Sequence, residues 1–243
     1  MNEALLWGFL SAGSLLVGAV VALRLRVSQK VIGFVMAFGV GALISSVCFE
    51  LVEDAFAESQ EIWVVGVGLA VGALVYFFGD ALIDNFGGKN RKNMRGVGSK
   101  NEGLPIVLGT VLDGIPESIV IGLTIVGGGG VSIAMVVAVF LSNIPEALTS
   151  STGLMASGWK KRSIFGLWLT VVGASVLATL AGYLVFADTS GMVRAFILSF
   201  AGGAILTMLA DTMVPEAYRN SGKATGLIVV LGFCLAFALT TLE

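Results

Sequence analysis

Histidine is absent from the 243 residues of this chain. That removes the commonest metal ligand and the one side chain that titrates near neutrality without help. Proton or metal chemistry must then run mainly on carboxylates. Charge is scarce as well: Lys, Arg, Asp and Glu make up 12% of the residues, about half the share of a soluble domain. The two cysteines, Cys48 and Cys234, both sit in apolar runs and imply no disulfide framework. Cys48 lies two residues from Glu50, about 200° away around a helix, and is expected to be a packed thiol. No basic residue precedes the first apolar stretch, MNEALLWGFL, and basic residues follow it instead. That polarity is wrong for a cleaved signal peptide, so the stretch reads as a permanent helix.

What remains is greasy. Hydrophobic residues make up 56% of the chain and the mean hydropathy is +0.96, with the apolar residues in long runs. A bilayer core of ~30 Å takes about 20 apolar residues per helix, and eight spans can be drawn at roughly 4–23, 31–54, 62–83, 104–126, 131–156, 162–186, 195–215 and 225–242. The 33 glycines suit closely packed membrane helices. No soluble domain is left over, so residues 1–243 read as one all-α integral membrane domain. Loop charge tests the count. Arg24, Arg26 and Lys30, then Lys89 to Lys100, then Lys160, Lys161 and Arg162, then Arg219 and Lys223 fall on one side; only Arg194, beside Asp188, falls on the other. This bias makes the basic side cytoplasmic and puts both termini outside. The polar stretch at about 85–102 reads as a flexible cytoplasmic loop.

Carboxylates inside the spans are the candidates for function, because each costs at least ~2.5–3.5 kcal/mol at membrane depth. They are Glu50, Asp113, Glu117, Glu146 and Asp211, with Glu53, Asp54, Asp80, Asp84 and Glu216 nearer span ends. The fourth span carries LDGIPES. Asp113 and Glu117 are one helical turn apart on one face, and Pro116 between them cannot bond the carbonyl of Leu112. The fifth span repeats the arrangement as LSNIPEA, with Ser142, Asn143, Pro145 and Glu146. Matched mid-membrane prolines in antiparallel spans point to an inverted-repeat transporter. A second repeat agrees: FGVGALISSVCFELVEDA from Phe38 aligns without gaps to FAGGAILTMLADTMVPEA from Phe200, pairing Gly41 with Gly203 and Ala55 with Ala217. The chain then reads as three helices, an inverted central pair and three more. Oxygen ligands converging at mid-membrane suit a divalent cation.

At these residues the chain resembles the ZIP family of zinc and iron permeases, which carries His-Asn-x-Pro-Glu-Gly in its fourth helix and a related Pro-Glu-Gly motif in its fifth. The resemblance covers the whole chain, including VEDA at the end of span two and VPEA at the end of span seven. It implies eight spans, external termini and a three-plus-two-plus-three bundle in the cell membrane. It also implies uptake of divalent cations by elevator-like movement of one helix bundle against another. Asp113 stands where the family has its metal-binding histidine. Glu117 and Glu146 match its metal-binding acids, Ser142 and Asn143 fall on its fifth-helix ligand positions, and Glu50 matches a second-helix ligand position. Gly114 replaces the asparagine that would serve a second metal, and span six has no mid-membrane carboxylate, so one metal site is expected. Ser118 and Ala147 replace the glycines of the two motifs. Aspartate in place of histidine leaves an oxygen shell that favours Mn²⁺ and Fe²⁺ over Zn²⁺, and Mg²⁺ or Ca²⁺ also fit.

The expected function is therefore transport of a divalent metal (zinc, iron or manganese) as substrate, with no cofactor, no enzymatic activity and no nucleic-acid partner. Glu50 would receive the ion from outside and Asp211, toward the inner end of span seven, would pass it on. Four carboxylates around one M²⁺ leave excess negative charge in a low dielectric, which points to proton exchange as metal arrives. The rivals are a metal-binding membrane sensor or scaffold that moves nothing, and an intramembrane hydrolase. The hydrolase lacks facing aspartates in the fifth span, and the zinc-protease pattern is impossible without histidine. Glycine-rich faces permit a homodimer without requiring one.

Overall fold

A computed structural model describes residues 1–85, 103–126, 131–186 and 189–242. Nearly all of them are helical, and no strand occurs among the described residues. Hydrocarbon offers the backbone no partner, so an apolar chain must close its hydrogen bonds within each helix. Seven helical stretches are long and apolar enough to cross a bilayer, which is compatible with a multi-pass membrane bundle. They are α1 (Asn2–Arg24), α2 (Gln29–Ser59), α3 (Ile62–Asn85), α4 (Gly103–Val126), α5 (Ile133–Ala156), α6 (Lys161–Val185) and the 50-residue stretch Gly191–Thr240. The last turns at Gly222, whose φ of 65° and ψ of −147° suit a residue without Cβ. Its arms are α7, residues 191–221, and α8, Thr225–Thr240. Large apolar side chains stand exposed along α3 and α8, among them Phe77, Phe78, Leu227 and Leu231.

Local signals set the ends. The Ser28 hydroxyl accepts the Val31 N–H to open α2, and Ser132 accepts that of Met135 to open α5. Gln60, at φ 55°, stops α2 after Ser59 and lets the chain turn into α3 within two residues. Span two therefore runs several residues past its expected end, and span seven starts earlier. Neither Pro116 nor Pro145 ends its helix. The basic loop expected at about 85–102 lies, beyond Asn85, outside the described residues, as does Asp188.

The described basic residues other than Arg194 gather at one end. Lys161 Nζ donates to the carbonyl of Leu23 at 2.7 Å, tying the start of α6 to the end of α1. Gly33, one turn into α2, sits against Asn220 at the α7–α8 turn. At the other end Glu58 takes two of the three guanidinium nitrogens of Arg194, with Nε to Oε1 at 3.2 Å and Nη2 to Oε2 at 2.7 Å, and Nη1 donates to the Thr189 carbonyl at 2.8 Å. Cys48 is exposed rather than packed.

The helices sort into two blocks. Helices α1, α4, α5 and α6 pack around Ala12, Leu15, Ala147, Leu154, Trp168 and Val172. Trp168 Nε1 donates to Ser151 Oγ at 2.7 Å across that core. Helices α2, α3, α7 and α8 pack around Val40, Leu43, Leu51, Val65, Leu209 and Ala236. Within the second block the close pairs run parallel: Gly33, Gly41 and Glu50 of α2 meet Asn220, Val229 and Thr240, while Gly68 and Gly72 of α3 meet Phe196 and Phe200. These contacts match across the sequence repeat. Gly232 lies against the carbonyl of Phe38, and Gly72 against that of Phe200. Only a residue without a side chain allows backbones so near.

The same matching appears in the helix winding. The turn Val47–Val52 in α2 and the turn Leu209–Met213 in α7 are π-helical. With Phe38 set on Phe200, Val47 falls on Leu209, so both wide turns begin at equivalent residues. Such single-turn bulges recur at functional sites.

Candidate metal-binding cleft

The candidate carboxylates meet at the seam between the blocks. Asp113 and Glu117 project from α4 one turn apart and are 4% and 2% exposed. Glu117 lies within charge range of both Asp113 and Glu146, so the two Pro-Glu motifs do converge. Tyr76 of α3, itself buried, donates its hydroxyl to Asp113 Oδ1 at 2.6 Å. That bond fixes one carboxylate oxygen of the first block from the second.

A narrow cleft of about 20 Å³ lies at the seam, lined by Met36 of α2, Asp113 of α4, Glu146, Thr149 and Ser150 of α5, and Met213 and Glu216 of α7. Glu146, Thr149 and Ser150 occupy successive turns of one helix face, which presents a carboxylate and two hydroxyls together. The Thr149 hydroxyl is buried without a hydrogen-bond partner, a polar atom whose desolvation nothing offsets. Every one of these polar groups offers oxygen, a donor set suited to a hard or borderline divalent cation. Among the described residues no three acidic or cysteine side chains are gathered closely enough to close on one ion. An ion would have to draw Asp113, Glu117, Glu146 and Glu216 together.

The other expected residues sit elsewhere. Ser142 Oγ donates to the carbonyl of Val139 at 3.0 Å within its own helix. Asn143 Nδ2 reaches the Ser11 carbonyl of α1 at 3.4 Å, an interhelical tie inside the first block. Glu50 is buried in the π turn of α2 and accepts the Thr240 hydroxyl at 2.5 Å. Its charged neighbourhood is Asp54, which also faces Glu53 and Glu58. Asp211 is exposed on the π turn of α7, and the cleft takes Glu216, 5% exposed, in its place.

Two residues of this site escape a sequence reading. Tyr76 stands in the apolar run LVYFF as one aromatic among several, with only its hydroxyl to distinguish it. Glu216 follows Pro215 and is one of several acids near span ends. Its signal is the repeat: it aligns with Asp54, whereas Glu50 aligns with Thr212 and Asp211 with Phe49.

The two ends of the seam differ. Toward the end remote from the basic residues, Val120, Ile121 and Leu123 of α4 and Met135, Val136 and Val139 of α5 join the core of the second block. The cleft lies on the other side of this seal, along α5 toward Ala156 and the basic Lys160–Arg162 run. The chain matches no protein-family model and no curated protein.

Proposed function

We propose that this chain is a divalent-metal permease of the ZIP type. It would have eight spans in a three-plus-two-plus-three inverted repeat, with both termini outside the cell membrane. Counting α7 and α8 as separate crossings gives the eight. The paired π turns and the matched contacts of Gly72 and Gly232 support the inverted repeat.

The observation that carries the functional reading is the convergence of Asp113, Glu117 and Glu146 at the seam where the two blocks pack together. Buried acids in a membrane bundle are expensive, and burying them where two blocks meet gives them a task that packing does not require. The seal on one side of the cleft supports an arrangement with access from the basic face alone. Movement of the first block against the second would expose the same acids to the opposite side. In this reading the ion is held by Asp113, Glu117 and Glu146, and Glu216 rather than Asp211 receives it on the inner side. The all-oxygen donor set favours Mn²⁺ and Fe²⁺ over Zn²⁺.

The test is uptake of Mn²⁺, Fe²⁺, Zn²⁺ and Mg²⁺ into proteoliposomes, with Glu117→Ala beside the natural chain. Saturable flux of at least one ion, lost in the variant, is the expected result. Metal binding without flux of any ion would convert the reading to a sensor or scaffold.

A further inference from the structure

Beyond the carboxylate cleft, a second groove opens at the basic end of the first block. It holds about 440 Å³ between the last turn of α1 and the first turn of α6, and its lining is Val20, Leu23, Arg24, Lys161, Arg162 and Phe165. No carboxylate lines it. Lys161 already spans the gap to the Leu23 carbonyl, which fixes its ammonium at the mouth. Arg24 and Arg162 are exposed. No side chain caps the start of α6, so the positive end of that helix points into the same space.

The lining is sorted by depth. Val20 lies one helical turn, about 6 Å, below Arg24, and Phe165 lies about one turn below Lys161 and Arg162. Cations therefore ring the rim while aliphatic and aromatic walls lie deeper in the bilayer. A soluble anion would use the rim and leave the walls wet. A molecule with a negative head and an apolar tail would use both.

We propose that this groove is a binding site for an anionic glycerophospholipid, with the phosphate held by Arg24, Lys161 and Arg162 and an acyl chain laid along Val20, Leu23 and Phe165. Basic pockets between membrane helices on the cytoplasmic side are recognised hosts for such headgroups. The occupied lipid would bridge α1 and α6, two helices of the block that carries Asp113, Glu117 and Glu146. Transport need not be established for this site to exist.

The experiment is native mass spectrometry of the full chain released from nanodiscs of phosphatidylcholine and phosphatidylglycerol in equal amounts. The natural chain should retain phosphatidylglycerol preferentially. Arg24→Gln with Arg162→Gln should cut that preference about fivefold or more. Arg26→Gln, on the same face but outside the groove, should leave it unchanged. Val20→Trp alters no charge but fills the apolar wall, and it should also lower retention, which keeps the test decisive should the double variant misfold. Equal retention of the two lipids by the natural chain would overturn the proposal. So would an equal loss in Arg26→Gln, which would mean unspecific surface charge, or displacement of the lipid by millimolar inorganic phosphate, which would mean a site for a free anion.

Discussion

The π turn of α2 and the π turn of α7 begin at equivalent residues, yet they hold different chemistry. In α2 the acid, Glu50, lies inside the turn, buried and bonded to Thr240 at the end of α8. In α7 the equivalent position is Thr212, whose hydroxyl returns to the Met208 carbonyl of its own helix at 2.6 Å. There the buried acid comes four residues later, as Glu216 in the cleft. The backbone keeps the repeat while the side chains abandon it. If the chain carries ions as proposed, the two turns would meet them differently, one through a fastened carboxylate and the other through a carboxylate that borders the cleft.

The contrast can be broken at its centre. Asp113→Asn and Glu146→Gln, each at the point where the two motifs meet, should lower metal uptake by about a hundredfold, more than the 10–100-fold typical of groups one layer removed from a metal. Initial rates in proteoliposomes measure this. Loss in only one of the pair would mean that the motifs do not act as a unit. The next effect sharpens the difference between the turns. Glu216→Gln should cost about tenfold in uptake, while Asp211→Asn should leave the rate within about twofold. The reverse order would restore Asp211 as the inner acid.

The matched backbone predicts a smaller and symmetric effect. Gly72→Ala and Gly232→Ala each drive a Cβ into a facing carbonyl and should destabilise the bundle by about 1–3 kcal/mol, read as similar drops in Tm in detergent. Gly66, with open space around its Cα, should accept alanine with little change. Unequal losses at the two matched glycines would break the symmetry. Smallest of all, Thr240→Val removes one hydrogen bond from Glu50, about 1 kcal/mol. It should alter apparent affinity for metal offered from the outside and lower stability by about that amount, less than either glycine variant.

The central acids are legible in the amino-acid sequence. Asp113, Glu117 and Glu146 stand out because little else polar surrounds them, and their periodicity fixes the face on which they lie. The helical membrane character follows from the lengths of the apolar runs. Less visible are features that depend on what lies opposite. Ser142 and Asn143 share a helix with Glu146, yet hydrogen bonds to Val139 and Ser11 direct them away from the cleft. A π turn inserts one residue into a helix without a compositional mark, so the rotation that leaves Cys48 exposed has no signature in its neighbours. The division into two blocks is likewise hidden, because helices of both blocks are apolar along their length. Their glycines announce close packing but not the partner.

The apolar seal formed by Val120, Ile121, Met135 and Val139 has a further consequence if the chain carries ions. To reach the acids from the far side, water must enter a dry joint, and separating each of these buried side chains costs about 1.5–3 kcal/mol. The joint then behaves as a one-way valve at rest. An ion released toward the basic face meets a hydrophobic barrier behind it, and the free energy of wetting that barrier, more than the strength of the carboxylate grip, would set how often the molecule presents its acids to the outside.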